Sequence, residues 1–346
     1  FIVKCVIMAG GFGTRLRPLT ANLPKPMVPM ANRPIIDYII DLLKKHSIKD
    51  LTALLYFQPE TITGHLKDGS PYGVKVDYIT PGIDLGTAGS VALAMRKWRS
   101  KDTTLVISGD VLTDIDITKA LEFHKKNKAV ATIVLTRVEN PLPFGIVITD
   151  KKGRITRFLE KPSWGEVFSD TINTGIYILE QEILEFAPED KEFDFSKDLF
   201  PKLLEAGRPI YGYSADGYWK DVGNLEEYRQ ANLDILQAKV RVNMAGKELP
   251  GKGVWVDEGS RIDYAANFEG KVIVGKNCKI EAGCRILNSI IGPDATIEEG
   301  AVIIDSVLWG NVSVGRGAFM QEAVIGNSTE ISAGAHIAEG VIVSDH

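Results

Sequence analysis

Cysteine is scarce in this chain. Three cysteines occur among 346 residues, at Cys5, Cys278 and Cys284, too few and too scattered for the disulfide framework of a small secreted protein. Cys278 and Cys284 are six positions apart, which fits neither a zinc knuckle nor a Cys-x-x-Cys redox pair. We therefore expect all three to be small apolar residues of a cytoplasmic protein.

Long apolar runs and an excess of positive charge are lacking too. No apolar stretch approaches the length of a transmembrane helix, and the run at residues 2–8 is interrupted by Lys4 and lacks a signal-peptide cleavage pattern. The formal net charge of −5 gives no long-range attraction to nucleic acid or to an anionic membrane. We expect neither as a partner, so any phosphate must be bound by locally placed arginine and lysine side chains.

The length favours two domains, and the pattern changes once along the chain. Up to about residue 236, short β-branched runs alternate with helical patterns, which predicts an α/β fold with a Rossmann-like, mostly parallel sheet covered on both faces. Ligands of such sheets lie beyond the carboxyl ends of the strands. The predicted strands are residues 3–8, 51–57, 74–79, 104–108, 130–136 and 172–179, with another near Ile146, and the predicted helices are residues 34–46, 60–67, 87–98, 117–126, 197–206 and 225–238.

From about Val254 onward, β-branched residues recur with glycine or alanine at intervals near six, as in Ile280-Glu-Ala-Gly283. A sixfold period is the mark of hexapeptide β-helices, whose rungs must stack because none can bury its aliphatic corner alone. We predict an α/β domain over residues 1–238, a linker over residues 239–252 and a left-handed parallel β-helix over residues 253–346.

The most informative segment is residues 10–29, Gly-Gly-Phe-Gly-Thr-Arg-Leu-Arg-Pro-Leu-Thr-Ala-Asn-Leu-Pro-Lys-Pro-Met-Val-Pro, which follows a predicted buried strand. Its three glycines let the backbone approach a bulky anion. Arg15 adds a planar fork that suits phosphate oxygens, and Lys25 adds a point cation. The segment lacks the Lys-Ser/Thr of a Walker A loop and the third glycine of a dinucleotide fingerprint, where Leu16 stands. It therefore predicts a polyphosphate site of another kind.

Two aspartates stand close to glycines in positions that suit a metal ligand. Asp110 ends the strand-like Val106-Ile-Ser-Gly-Asp110, and Asp221 lies in Trp219-Lys-Asp-Val-Gly223 ahead of a helix. Taken singly, either aspartate could be an ordinary cap or turn residue. Together with a phosphate loop they imply Mg²⁺, which commonly pairs one or two carboxylates with substrate phosphates.

Segment 10–29 resembles the signature of the sugar-1-phosphate nucleotidyltransferases, the nucleoside-diphosphate-sugar pyrophosphorylases. The resemblance implies that Arg15, Lys25, Asp110 and Asp221 are catalytic and that the two aspartates hold Mg²⁺. Glu160-Lys161-Pro162 is similar to a family segment whose lysine contacts the sugar phosphate and whose glutamate contacts the sugar. The resemblance implies nucleotide contacts at Ala9, Gly10, Gly11, Gly13, Thr14, Arg15, Gly86 and Thr87, and sugar-phosphate contacts at Gly145, Glu160, Lys161, Asn173 and Thr174.

The family reaction joins a nucleoside triphosphate to a sugar-1-phosphate and releases pyrophosphate. Leu85-Gly-Thr-Ala-Gly89, together with Trp219-Lys-Asp-Val-Gly-Asn-Leu-Glu-Glu-Tyr228, resembles the mannose-1-phosphate guanylyltransferases and implies GTP and mannose-1-phosphate. Thr80-Pro81-Gly82 stands where several uridylyl- and thymidylyltransferases place glutamine or glutamate before the proline. The alternative is uridylyl, thymidylyl or adenylyl transfer to glucose-1-phosphate or another hexose-1-phosphate.

Two other functions compete with this one. A non-catalytic regulatory subunit that binds nucleotide sugar would lose part of the signature, whereas Arg15, Lys25, Asp110, Lys161 and Asp221 are all present. An acyltransferase β-helix would need a histidine, and that region has only His336, which we expect at a corner, and His346. We expect the β-helix to form a homo-oligomer instead, because its apolar terminal rung needs covering.

Overall fold

The computed structural model describes residues 2–11, 13–167 and 169–343. The remaining residues, among them Phe12 of the glycine-rich segment and His346, lie outside the described part. The chain forms two compact units. The first contains residues 1–11 and 39–219, and the second contains residues 12–38 and 220–346.

The described residues form six α-helices and thirty strands. The helices are α1 (Ile35–Lys45), α2 (Pro59–Leu66), α3 (Gly86–Trp98), α4 (Ile117–Lys126), α5 (Phe200–Glu205) and α6 (Leu225–Leu236). The strands up to residue 221 are β1 (Val3–Met8), β2 (Pro29–Met30), β3 (Arg33–Pro34), β4 (Asp50–Leu54), β5 (Lys75–Ile79), β6 (Thr103–Ser108), β7 (Val111–Thr113), β8 (Ala131–Arg137), β9 (Gly145–Thr149), β10 (Ile155–Glu160), β11 (Thr171–Leu179), β12 (Ile210–Ser214) and β13 (Trp219–Asp221). The strands after residue 221 are β14 (Lys247–Leu249), β15 (Val254–Val256), β16 (Arg261–Ile262), β17 (Asn267–Glu269), β18 (Val272–Val274), β19 (Lys279–Ile280), β20 (Arg285–Leu287), β21 (Ile290–Ile291), β22 (Thr296–Ile297), β23 (Val302–Ile304), β24 (Val307–Leu308), β25 (Ser313–Val314), β26 (Phe319–Gln321), β27 (Val324–Ile325), β28 (Glu330–Ile331), β29 (His336–Ile337) and β30 (Ile342–Val343).

The first unit is built on one nine-stranded sheet. Seven strands follow the order β10-β9-β11-β6-β1-β4-β5, and β8 and β12 extend the sheet from β11. Strands β6, β1, β4 and β5 are parallel to one another, whereas β11 runs antiparallel to β6, β8 and β9. The Rossmann-like α/β prediction is confirmed, and antiparallel pairings extend the sheet on the β11 side.

Helices on the sheet bury an apolar core. Val6 and Val106 of the central strands and Val91 of α3 are fully buried in it. The predicted strand 3–8 and helix 117–126 have the observed bounds, because an apolar run broken only by Lys4 marks the first and the side chain of Asp116 caps the second. Strands β10 and β12 were not predicted, since their sequences carry little apolar alternation.

The second unit contains the β-helix, and the left-handed β-helix prediction is confirmed. Its strands form three sheets, in the orders β14-β15-β18-β21-β24-β27-β30, β16-β19-β22-β25-β28 and β17-β20-β23-β26-β29. Equivalent residues of successive rungs stack, as Ile280 does on Ile297 and Ile297 on Val314. Inside the predicted linker, β14 pairs antiparallel with β15.

The cysteines of the β-helix are buried, and His336 stacks on an aromatic ring. Cys278 and Cys284 are buried and free, as is Cys5 in the first unit, which confirms the prediction of small apolar residues. His336 lies in strand β29 with its ring stacked on Phe319 at 4.7 Å between centroids. The expectation of a corner position was wrong, because His336 is the first residue of strand β29 and not part of the turn before it. No helix within the described ranges is long and apolar enough to cross a membrane.

Candidate active site

The turn after β1 carries the first predicted nucleotide residues. Ala9 is buried, and its N–H donates to the Leu54 carbonyl at 3.0 Å. Only glycine fits at position 10, because a Cβ there would lie 2.3 Å from Cδ2 of Tyr56. Gly11 is exposed, with nothing within 4 Å of its would-be Cβ. The turn is therefore tightly packed at Gly10 and open at Gly11, where a phosphate could approach the backbone.

The N–H groups at the start of α3 donate to acceptors within the protein. Gly86 has φ 65°, and its N–H donates to Oδ1 of Asp84 at 2.9 Å. The N–H and the hydroxyl of Thr87 both donate to Oδ1 of Asp194, at 3.1 and 2.9 Å. Gly89 N–H donates to the Phe193 carbonyl at 2.9 Å. These three N–H groups are therefore already bound by two carboxylates and a carbonyl, and the nucleotide contacts of Gly86 and Thr87 stay a prediction.

Asp110 follows the central strand β6 at its carboxyl end. The preceding Gly109 donates its N–H to the Met8 carbonyl at 2.9 Å, so this turn lies beside the one that follows β1. The hydroxyl of Ser108 donates to Oδ1 of Asp110 at 2.5 Å, which orients the half-buried carboxylate. A hydrogen bond from a hydroxyl to a carboxylate is charge-assisted and holds the acceptor in one orientation.

Gly145, Glu160 and Lys161 come together across the strand pair β9–β10. Gly145 and Glu160 are direct antiparallel partners, and a Cβ on Gly145 would lie 2.8 Å from Oε2 of Glu160. The glutamate carboxylate therefore lies over the glycine. Lys161 has φ 44° and donates its N–H to the Phe144 carbonyl at 3.1 Å. Within the described residues, the exposed Lys161 ammonium has no carboxylate partner, so its charge is available to an anion.

Asn173 and Thr174 lie in a bulge of β11, next to β9. The pairing of β11 with β8 shifts between Asn173 and Tyr177. Asn173 Nδ2 donates to the Tyr177 hydroxyl at 3.0 Å, and its Oδ1 accepts the Gly175 N–H at 2.9 Å. The buried Thr174 hydroxyl donates to the Val134 carbonyl at 2.7 Å. The Thr174 hydroxyl therefore helps to hold the bulge together, and the sugar-phosphate contact of Thr174 stays a prediction.

Thr174 also anchors an aromatic side chain that sequence analysis assigned only to a motif. Trp219 Nε1 donates to the Thr174 carbonyl at 3.0 Å, and its ring meets Phe144 edge-on at 5.4 Å between centroids. Phe144 is the residue whose carbonyl holds Lys161. In the first unit, the turns after β1 and β6, the β11 bulge and the β9–β10 pair thus lie along neighbouring strands of one sheet.

In the second unit, the glycine-rich segment continues as a tight helical turn. Gly13 has φ 63° and precedes the turn Thr14–Leu16, and its carbonyl accepts the Thr20 hydroxyl at 2.6 Å. Leu16 is fully buried and anchors the turn. Thr14 and Arg15 are exposed beside it. No acceptor for the Arg15 guanidinium is found among the described residues.

Lys25 and Asp221 meet inside the same unit. Lys25 Nζ lies 3.8 Å from Oδ1 of Asp221, with only 7% of the lysine side chain exposed. Nη2 of Arg15 lies 3.4 Å from the point that a Cβ on Gly223 would occupy. Two cations of the signature segment therefore adjoin the Trp-Lys-Asp-Val-Gly segment, although the two segments are distant in sequence. The two cations and the Asp221 carboxylate thus lie together in the second unit, a combination whose chemistry suits phosphate oxygens and an associated cation.

Three residues that no sequence motif indicated, Tyr56, Ser90 and Asp194, shape these turns. Tyr56 fills the space beside Gly10, and its hydroxyl is 2.6 Å from Oγ of Ser90. Ser90 in turn donates to the Gly86 carbonyl at 2.7 Å. Asp194 binds Thr87 from 107 positions away. None of these residues stands in a motif, so no local pattern could have indicated them.

Comparison with known proteins assigns both regions of the chain. The family model described as Nucleotidyl transferase matches residues 4–238, and the one described as EIF2B subunit epsilon LbH domain matches residues 252–346. A UTP–glucose-1-phosphate uridylyltransferase from Synechocystis sp. is 35% identical over 302 residues, which cover 82% of this chain and 77% of that protein. A mannose-1-phosphate guanylyltransferase from Mycobacterium tuberculosis is 33% identical over 290 residues, covering 84% and 79%.

A solved structure is similar as well. It is described as a glucose-1-phosphate thymidylyltransferase from Bacillus anthracis in complex with a sucrose, with a TM-score of 0.62 and 25% identity, and the match covers 71% of this chain and 98% of that one. An α/β sheet with these segments at its strand ends, followed by a β-helix, defines a nucleotidyltransferase. The chain belongs to the family of sugar-1-phosphate nucleotidyltransferases.

Proposed function

We propose that the protein transfers the guanylyl group of GTP to mannose-1-phosphate, giving GDP-mannose and pyrophosphate. The base and the sugar are supported by the mannose-1-phosphate guanylyltransferase from M. tuberculosis, at 33% identity. They are supported also by the Leu-Gly-Thr-Ala-Gly segment at residues 85–89 and by Thr80 where several uridylyl- and thymidylyltransferases have glutamine or glutamate.

The proposal rests on one observation, the contact between Lys25 and Asp221 close to Arg15. A buried lysine at 3.8 Å from a carboxylate, with an exposed guanidinium close by, provides two positive charges for the phosphates of a nucleoside triphosphate. Removing the lysine would take away one of these charges. The residues therefore suit polyphosphate better than they suit a neutral ligand.

The nucleophile of this reaction is a phosphate oxygen of the sugar-1-phosphate. It forms the new bond to the α-phosphorus of GTP while the bond to the pyrophosphate oxygen breaks. A phosphate monoester has a second pKa near 6 and is mostly dianionic at neutral pH, so no general base is needed. In accord with this, His124 is buried between the Thr132 hydroxyl and the Glu180 carboxylate, at 2.8 and 3.0 Å, as a structural residue.

The obstacle is bringing two anions together, so catalysis rests on positioning and on cations. We assign Arg15 to the charge on the departing pyrophosphate and Lys25 to the reacting phosphate. Lys161 would hold the incoming sugar phosphate, and Glu160 over Gly145 would accept from sugar hydroxyls. Gly11 and Gly13 would bring backbone N–H groups close to the triphosphate.

Asp110 and Asp221 fit the donor chemistry of Mg²⁺, because carboxylate oxygens are the hard ligands it takes alongside substrate phosphates. No group of three or more histidine, cysteine, aspartate or glutamate side chains is gathered for a metal in the part of the chain that is described, so phosphate oxygens would complete the shell. We propose that these two aspartates hold the ion. When bound, it would neutralise charge on the phosphates and polarise the α-phosphoryl group. The Ser108 hydroxyl keeps the Asp110 carboxylate oriented for this role.

A second candidate is uridylyl transfer to glucose-1-phosphate. It is favoured by the Synechocystis relative named for that activity, at 35% identity. The non-catalytic regulatory alternative is favoured by the match of residues 252–346 to the EIF2B subunit epsilon LbH domain. The complete set Arg15, Lys25, Asp110, Lys161 and Asp221 favours an enzyme instead.

One substrate panel separates these candidates. Purified protein is given GTP, UTP, dTTP, ATP or CTP with mannose-, glucose- or N-acetylglucosamine-1-phosphate, and pyrophosphate release is measured with Mg²⁺ and with EDTA. We expect the highest kcat/KM for GTP with mannose-1-phosphate, and no release in EDTA. A preference for UTP with glucose-1-phosphate would select the second candidate, and binding without release for any pair would select the regulatory one.

We also retain as a proposal a homo-oligomer formed through the β-helix. One of its faces supports this, because Leu287 and Ile304, and beside them Val302 and Phe319, are stacked partners that stay half-buried outside the core. Light scattering of the purified chain tests it: a multiple of 37.9 kDa is expected, and a monomer at micromolar concentration would contradict it. The cytoplasmic location stays a prediction.

A further inference from the structure

A strained hairpin follows directly after the turn that carries Lys25. Strands β2 and β3 pair through Met30 and Arg33, and the two residues between them, Ala31 and Asn32, have φ 46° and 66°. Two consecutive positive φ angles are what a tight type I′ hairpin needs. Asparagine tolerates this conformation, whereas alanine is disfavoured in it. Backbone of this kind persists only where its surroundings hold it.

The hairpin of the second unit is held from both α6 and the β-helix. Ala31 N–H donates to Oδ1 of Asn232 in α6 at 2.8 Å, in a buried bond. Asn32 Nδ2 donates to the Ile291 carbonyl of the β-helix, also at 2.8 Å. The strained turn is thus fixed at its backbone and at its side chain by residues far along the chain.

A third connection passes through two large buried side chains. Trp309 Nε1 of the β-helix donates to the Tyr228 hydroxyl at 2.8 Å, and that hydroxyl donates to the Pro29 carbonyl at 2.5 Å. The direction is unambiguous, because the indole can only donate and the carbonyl can only accept. Tyr228 and Trp309 are 0% and 2% exposed. Burial raises the pKa of Tyr228, so the hydroxyl keeps the proton that it donates.

Helix α6, which contains Tyr228, also begins close to Asp221. Asn224 caps α6, its side chain accepting the Glu227 N–H at 2.9 Å, and Asp221 stands three positions before this cap. On the other side, Val28 N–H donates to the Lys25 carbonyl at 3.1 Å, which joins the hairpin to the lysine. The two residues of the Lys25–Asp221 ion pair are therefore attached to the two elements that Tyr228 connects.

We propose that Tyr228 and Trp309 are positioning residues through which the β-helix keeps Lys25 and Asp221 in the relative position that nucleotidyl transfer needs. The inference rests on the proposed function for its kinetic consequence only. Neither side chain can touch substrate from its buried place. The β-helix thereby stabilises the hairpin that follows Lys25, and we call these contacts the brace. This role is in addition to any role in assembly. A shift of about 1 Å in a catalytic group can cost up to about a hundredfold in rate, so a loosened hairpin would lower kcat.

The test uses the full chain and a substitution that removes one oxygen atom. Tyr228→Phe removes the hydroxyl that accepts from Trp309 Nε1 and donates to the Pro29 carbonyl, without a large change of side-chain volume. The matched control is Tyr78→Phe in the first unit, which also removes a hydroxyl that donates to a backbone carbonyl, that of Lys67. Asn32→Gly is a milder variant that keeps the positive φ and removes the bond to Ile291, and it serves if Tyr228→Phe does not fold.

Two measurements are made on each variant. Hydrogen–deuterium exchange of the peptide spanning residues 26–34 reports on the brace without any substrate, and steady-state kinetics report on catalysis. We expect Tyr228→Phe to exchange at least about tenfold faster there and to lose about tenfold in kcat with a smaller change in the KM for mannose-1-phosphate. Asn32→Gly should change both in the same direction by a smaller factor, and Tyr78→Phe should change neither.

The outcomes are distinguishable. Unchanged exchange at residues 26–34 in Tyr228→Phe would overturn the brace. Faster exchange with wild-type kcat would show a purely structural contact and would overturn the positioning role. If the wild-type chain itself showed no nucleotidyl transfer, the proposed function would fall together with the kinetic part, while the exchange comparison would still decide whether the brace exists.

Discussion

Replacing Gly10 by alanine perturbs the turn after β1 at its most crowded point. The added Cβ would lie 2.3 Å from Cδ2 of Tyr56, whereas unstrained carbon atoms approach to about 3.5–4.0 Å. The ring must therefore move by more than 1 Å or the turn must shift. Tyr56 is not free to swing, because its hydroxyl is bonded to Ser90 at 2.6 Å and Ser90 to the Gly86 carbonyl at 2.7 Å.

Overpacking of this kind costs about 1–3 kcal/mol. In a unit of this size each kcal/mol lowers the melting temperature by about 2–4 °C. We expect Gly10→Ala to melt several degrees below the wild type in differential scanning calorimetry. Turnover at a temperature where both proteins are folded should fall as well, because the displaced turn carries Gly11.

Gly11→Ala is the matched control. Its would-be Cβ meets nothing within 4 Å, so stability should stay within about 0.5 kcal/mol of wild type, while the KM for the nucleoside triphosphate rises because the methyl group lies where phosphate approaches. In a Tyr56→Ala background, adding Gly10→Ala should cost less than about 0.5 kcal/mol, since the clash is gone. Equal melting temperatures for Gly10→Ala and Gly11→Ala would refute the reasoning.

The remaining predictions concern charge. Asp110→Asn and Asp221→Asn should each lower kcat by at least about a hundredfold, as the loss of a preorganised electrostatic contact typically does, and should raise the Mg²⁺ concentration needed for half-maximal rate. The exposed Asp190→Asn is the control, and near-normal turnover in either site variant would remove that residue from the metal role. Lys161→Ala should raise the KM for the sugar phosphate about tenfold or more, as loss of a charge-assisted phosphate contact of about 1.5–3 kcal/mol implies, with the KM for nucleotide nearly unchanged. Lys151→Ala is the control there, and equal effects on both KM values would count against the assignment.

The alternation of strands and helices and the hexapeptide repeat of the β-helix could both be predicted from the sequence, because each has a strong local pattern. The apolar run of β1, the helical pattern of residues 117–126 and the sixfold period of the β-helix are each visible in neighbouring residues. The antiparallel pairings of β11 have no such pattern, since they join strands through contacts that only the assembled sheet brings together. Strand β12 has Gly212 in its middle and was missed for that reason.

The site residues were predicted by resemblance, and the structure adds what holds them. No spacing rule connects Lys25 with Asp221 or Thr87 with Asp194, because these contacts depend on the tertiary fold. Thr174 has the right place in its motif but gives its hydroxyl to the Val134 carbonyl. A motif indicates which segment lies at a site, and only the hydrogen bonds show which atoms remain for a ligand.

The central claim is that this chain joins a nucleoside triphosphate to a sugar-1-phosphate. Phosphorus-31 NMR of GTP, mannose-1-phosphate, Mg²⁺ and the purified protein tests it most directly. We predict the two coupled resonances of a nucleotide-sugar diphosphate, appearing in step with one equivalent of pyrophosphate and reversing when pyrophosphate is added in excess. Unchanged spectra with this pair and with every other pair of the substrate panel, under conditions where the protein is folded, would contradict the account.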